Sequence, residues 1–193
     1  MSIVQLKKFT GNRGFSILEV LIAALITGIL ATATLQFYSR MHHQAENQYD
    51  VSEAQHQCRA SLFDIVKTLR MAGFKLDGHP AYEISGDTLA VYFSETQPVD
   101  TVVYYLEEFQ PWEYHHLGVS SDKTTLRRLM KKRNSAMPGA FADYITSIRY
   151  SIVDSANIVI AMTAQTPRAD DTYAPNGGYR TFSLAERVNI RNL

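Results

Sequence analysis

Hydrophobic and polar positions divide this chain into three regimes. Over residues 20–38 the side chains are predominantly apolar, and no charged residue stands between Glu19 and Arg40. As a helix, residues 20–39 rise about 30 Å, the depth of a bilayer's hydrocarbon core. Residues 39–72 hold neither proline nor glycine, and strong helix formers dominate. This second stretch begins polar, with Met41, Ala45 and Tyr49 repeating every four residues. It ends amphipathic: Leu62, Ile65, Val66 and Leu69 fall at i, i+3, i+4 and i+7, one face of a helix. Gly73 follows where a C′ glycine would end it. The pattern predicts a single helix over about 15–72, whose second half packs on the remainder, with Gly28 a soft point in the apolar half.

Beyond residue 73 the chain reads as a β-rich domain, 73–193. Gly86-Asp87 separates 82–85 from 88–93, a hairpin signal. Further strands are expected over 101–109, 124–132, 145–153, 157–166 and 179–190. Ile148, Tyr150 and Ile152 alternate, as do Ile158, Ile160 and Met162, which suits sheets with one wet face. Gln97-Pro98, Pro138-Gly139 and Pro175-Asn176-Gly177-Gly178 mark loops. The expected fold is α+β: a long helix against an antiparallel sheet, which buries both apolar faces.

Charge sharpens the picture at the N-terminus. Residues 1–14 hold Lys7, Lys8 and Arg13 and no acid, a basic flank of the kind that stays in the cytoplasm. They take three of the 19 Lys/Arg, leaving 16 bases against 19 acids, a formal −3. That balance argues against a nucleic-acid binder held by bulk charge. Cys58 is the only cysteine, so no intramolecular disulfide forms. It falls on a polar stretch of helix and reads as an incidental thiol.

The junction can be read in three ways. An ordinary signal peptide would use 20–30 as its apolar region and Ala31-Thr32-Ala33 as its cleavage site. A permanent single-span anchor fits the length equally well. The third reading comes from Gly14-Phe15 followed by Ser16-Ile17-Leu18-Glu19-Val20-Leu21-Ile22-Ala23, which resembles the type IV prepilin cleavage and methylation motif. The resemblance implies a leader over 1–14, cut between Gly14 and Phe15 by an inner-membrane prepilin peptidase that then N-methylates Phe15. It also implies that the helix stays in the mature chain, 15–38 in the membrane or a filament core and 39–72 beyond it. Glu19 would meet the charged N-terminal amine of a neighbouring subunit. A carboxylate and an ammonium in low dielectric are each expensive alone, so such a pair rewards the correct stagger.

The body of the chain is similar to one branch of that family. Leu69-Arg70-Met71-Ala72-Gly73-Phe74, Gly86-Asp87-Thr88-Leu89, Val102-Val103-Tyr104-Tyr105-Leu106, Leu126-Arg127-Arg128 and Val188-Asn189-Ile190-Arg191-Asn192 resemble PilW-type minor pilins. Similar landmarks occur in J-type minor pseudopilins of type II secretion. The missing disulfide, and Gln36 where many major pilins have proline, fit a minor subunit. The resemblance implies a bacterial inner-membrane protein with a cytoplasmic N-terminus. Its partners would be other minor pilins, the major pilin, the peptidase, the assembly platform and, before assembly, membrane lipid.

Other chemistry is thin, and the chain reads as non-catalytic. His42 and His43 are adjacent and point about 100° apart on a helix, so they do not converge on a metal ion. Asp170-Asp171 near Asn176 lacks ordered calcium-loop spacing and reads as a solvated loop. Trp112 and Tyr114 suggest an aromatic loop or a local core cap. Arg127, Lys131 and Arg133 share a face if they lie on a strand. They are a candidate contact for an anion, including DNA, weighed against a plain solvated face. No cofactor and no metal is expected.

Overall fold

In the computed structural model, residues 15–76, 78–95, 99–117, 125–154 and 156–192 are described. The leader with Gly14, the Gln97-Pro98 loop and Thr124 lie outside them. The chain divides into two units, one ending at Ala45 and one running Glu46–Leu193.

One helix, α1 (Ile17–Leu69), spans the first two regimes without a break. Its end is set by Gly73, which adopts φ +77° and donates its N–H to Tyr92 O at 2.9 Å. A side chain at Gly73 would overlap the Asn192 carbonyl, so both conformation and space demand glycine. The chain leaves regular helix at Leu69, a few residues before the expected end, and turns through 70–75.

Among the described residues eight strands follow, arranged in two antiparallel sheets. Tyr82–Ser85 (β1), Thr88–Phe93 (β2), Asp100–Glu108 (β3), Arg127–Arg133 (β4) and Gly139–Ala142 (β5) form an antiparallel sheet in that order. Ile145–Asp154 (β6), Asn157–Gln165 (β7) and Thr181–Asn189 (β8) form a second one. Between β3 and β4 lies a short helix, α2 (Pro111–Leu117), which carries both Trp112 and Tyr114.

The core joins both sheets to the second half of α1. Leu62, Ile65, Val66 and Leu69 are buried against Leu89, Val91 and Phe93 of the first sheet and Ile158, Ile160 and Met162 of the second. Each such side chain contributes on the order of 1.5–3 kcal/mol. Cys58 is not incidental. It is fully buried in this core together with Ala54, one and two turns before Leu62. A smaller cluster, Phe109, Tyr114 and Leu126 with Tyr144 against it, seats α2. There the Tyr114 hydroxyl accepts the Leu126 N–H at 2.7 Å.

Candidate processing and assembly site

The helix start is set locally by Ser16 and Glu19. Ser16 Oγ accepts the Leu18 N–H at 3.3 Å, and Glu19 Oε2 accepts the Ser16 N–H at 2.9 Å. Ser16 thus caps the second helical amide while Glu19 reaches back to the Ser16 amide, a capping-box arrangement whose Ser-x-x-Glu spacing stands in the sequence. The carboxylate therefore has a partner within its own chain. Phe15 lies immediately before the cap and is fully open, 86% exposed.

Along residues 15–45 every side chain is exposed, including Leu18, Leu21, Leu25, Ile29 and Phe37. The helix is long and apolar enough to cross a membrane. The three threonine hydroxyls of this stretch are satisfied internally. Thr27, Thr32 and Thr34 donate to the carbonyls of Ala23, Gly28 and Leu30 at 2.7–2.8 Å, so none carries an unpaired donor into an apolar medium. Gln36, near the end of the apolar stretch, borders a shallow groove that includes Gly28 and Thr32.

Residues 10–35 match the family model described as the prokaryotic N-terminal methylation motif. This chain carries a prepilin-type N-terminus. The motif and the exposed apolar helix together support a type IV pilin- or pseudopilin-like protein, and the α+β arrangement of one long helix on antiparallel sheets is pilin-like. No curated protein and no solved structure matches the chain.

The three basic residues of β4 do share a face, and it is the one turned toward α1. Leu129 between them is fully buried, and β4 pairs with Tyr104 and Val102 on the core side of β3. Each cation has a carboxylate. Lys131 Nζ donates to Asp64 Oδ2 on α1 at 2.7 Å, Arg133 to Glu95 at 2.9 Å and Arg127 to Glu108 at 3.0 Å. The Tyr104 hydroxyl also donates to Asp64 Oδ2, at 2.5 Å. Burial and that carboxylate push the phenol well above its usual pKa.

Arg128, on the other face, spans Glu113 of α2 and Asp143. Burial raises the Asp143 carboxyl; Arg128 lowers it, and nearby Glu113 and Glu53 add to the rise. Asp170 is not part of a solvated loop. It is buried, accepts from Thr172, and takes two hydrogen bonds from Arg180 at 3.0 and 2.7 Å, which hold its carboxyl below the usual range. Asp171 beside it is exposed. Tyr114 is buried while Trp112, two residues away on α2, is open and meets His116 edge-on. The His42 and His43 rings lie 6.4 Å apart and tilted. Among the described residues no group of three or more His, Cys, Asp or Glu is placed to hold a metal ion.

Proposed function

We propose that this protein is a non-catalytic minor pilin of the PilW-like branch, working at the initiation or cap of a type IV pilus. Prepilin peptidase cuts between Gly14 and Phe15 and methylates Phe15. The apolar half of α1 waits in the inner membrane, with the N-terminus cytoplasmic, and then joins the filament core beside other minor pilins and the major pilin on the assembly platform. The observation that carries this reading is the methylation motif placed on a helix whose apolar half has no cover of its own. An exposed apolar rod some 20 residues long needs either lipid or other helices around it. Glu19 supports the same reading. A carboxylate satisfied by its own helix start is tolerable in a lone subunit and remains available to a neighbour's amine.

The test is the mature N-terminus by mass spectrometry. N-methyl-Phe15 is the expected result. Thr34 as the first residue indicates ordinary secretion, an intact leader indicates a plain anchor, and either overturns the reading. Deletion of the protein, scored separately for piliation and for protein secretion, then separates the pilus role from that of a J-type pseudopilin; loss of piliation is expected.

A further inference from the structure

Helix α2 is tied to the first sheet through one guanidinium that two carboxylates share. Arg128 of β4 lies over the Phe109 ring, 4.4 Å from its centroid, which places the guanidinium beside the start of α2. From there Nη2 donates to Glu113 Oε1, and Nε lies 3.3 Å from Asp143 Oδ1, between β5 and β6. Glu113 is buried, and its other oxygen accepts the Gln110 N–H at 2.6 Å. This carboxylate therefore caps α2 and ties it to β4 at once. Asp143 is served less well. Its Oδ1 and the Arg128 Nε are both shielded from solvent, yet neither completes a hydrogen bond. An ionised oxygen in that position has lost water and gained only a misaligned ion contact.

Charge around Asp143 is adverse as well. Arg128 of β4 is the cation that faces it, while Glu113 of α2 and Glu53 of α1 are the anions. Glu53 takes a hydrogen bond from Gln57 at 2.6 Å. Beyond the neighbouring Tyr144, Asp50 and Arg168 are already joined to each other. Burial raises the Asp143 carboxyl above its ordinary value; Arg128 opposes the rise, and Glu113 and Glu53 add to it. A group raised in this way adds stability in full below its unfolded pKa, and that contribution is lost as pH climbs through the folded one. The effect is tied to α2. A docked helix brings Glu113 to the guanidinium that Asp143 also needs, which disfavours the ionised form of Asp143. By reciprocity, a proton on Asp143 favours the docked helix.

We propose that Arg128, Glu113 and Asp143 form a proton-gated clamp on α2. A proton taken up by Asp143 leaves the guanidinium to Glu113 and tightens the docking of the helix. Its release restores the competition and loosens the helix. Tyr114 of α2 is buried with Phe109 and Leu126, a cluster separate from the main core. Loosening therefore admits water to that small cluster and leaves the packing of α1 on the two sheets in place. The clamp goes beyond the pilin reading and fails separately from it: Phe15 can be methylated whether or not α2 responds to pH.

The experiment uses the processed full chain in neutral detergent between about pH 4 and about pH 7.5, a range that covers carboxyl titration. The first readout is the hydrogen-exchange protection of the α2 amides, corrected for the intrinsic pH dependence of exchange. It should fall about threefold or more as pH rises across the range, with no such fall in β2 or β7. The second is the apparent pKa of Asp143, followed by its carboxyl-carbon resonance. It should be higher in the wild type than in Glu113→Gln, which removes the competing charge and keeps an oxygen for the Gln110 N–H. Asp143→Asn imitates the protonated carboxyl and should hold α2 at its acid-state protection throughout. His116, which meets Trp112 edge-on within α2, is the control: His116→Gln should leave the response unchanged. Protection that ignores pH overturns the proposal, as does a fall shared equally by β2 and β7. So does a response that survives Asp143→Asn or vanishes in His116→Gln. An Asp143 pKa that is the same in Glu113→Gln overturns it too, and that comparison decides the matter even where Asp143→Asn fails to fold.

Discussion

Glu19 has two possible roles that a pair of substitutions separates. As the fourth residue of the capping box it accepts the Ser16 N–H, and losing such a cap costs about 1 kcal/mol of helix stability. As a charge it would pair with a neighbour's amine. Glutamine keeps the acceptor oxygen and discards the charge; alanine discards both. If charge governs assembly, Glu19→Gln and Glu19→Ala should both fall at least tenfold in incorporation, measured by immunoblot of sheared filaments against the membrane fraction. A Glu19→Gln subunit that assembles normally while Glu19→Ala does not would leave only the cap. Cys58 offers a second residue-level test. Burial pushes its thiol up to about 11 from about 9. The folded pKa lies above the unfolded one, so its contribution to stability is complete below pH 9 and lost as pH rises toward 11. Thermal midpoints of wild type and Cys58→Ala should therefore differ by a constant amount up to about pH 9 and converge above it. A gap that stays constant to pH 11 removes the argument. The signal for this burial was in the sequence, since Ala54 and Cys58 extend the Leu62 and Leu69 stripe backward by i−4 steps, but His56, Gln57 and Arg59 around them masked it.

At the scale of elements, the join between α1 and the first sheet rests on one polar node as well as on apolar packing. Asp64 accepts from Lys131 on β4 and from Tyr104 on β3, and Tyr104 shares a hydrogen bond with Thr68 at 2.8 Å. Lys131 and Asp64 are partly buried, so their pair is worth more than a surface ion pair. A double-mutant cycle of Asp64→Ala and Lys131→Ala in denaturant unfolding should give a coupling of about 1 kcal/mol; a coupling near zero would mean the pair is ornamental. Gly73→Ala should cost more, about 2 kcal/mol or above, because it adds a Cβ at φ +77° into the Asn192 carbonyl. The helix, the β1–β2 hairpin around Gly86 and the alternating strands were legible because each repeats its period over several residues. Neither α2 nor β5 was. Seven residues opening on Pro111 are too short to display a 3.6-residue period, and Pro138-Gly139 signals a loop at the very place where β5 begins. The division into two sheets was not legible either. The division falls between β5 and β6, where Tyr144 takes φ +65°, a conformation no pattern of apolar positions announces for a tyrosine. The β4 face was read correctly as shared, yet its direction depended on Asp64, sixty-seven residues earlier, which strand periodicity does not contain.

At the scale of the whole chain, helix α1 crosses from a stretch with no tertiary cover to one that completes a core. The first buried side chain along it is Asp50 and the first buried apolar one Ala54, while every described residue before Glu46 is exposed. The second unit, Glu46–Leu193, therefore contains its entire core. A fragment starting at Glu46 should fold alone and unfold cooperatively, with the far-UV signature of a short helix on β-sheet. Its Arg168–Asp50 bridge, two hydrogen bonds of 2.9 Å, should remain in place. Starting instead at Arg59 removes Ala54, Cys58 and that bridge together, exposing the faces of Met162 and its neighbours in the second sheet. Losing that much packing typically costs several kcal/mol, comparable with the whole stability of a small domain. The shorter fragment should show no cooperative thermal transition. If both fragments melted alike, residues 46–58 would be dispensable to the core and the helix would serve the soluble unit only from Leu62 onward. If neither folded, the exposed stretch before Glu46 would be contributing stability for which the buried positions give no account.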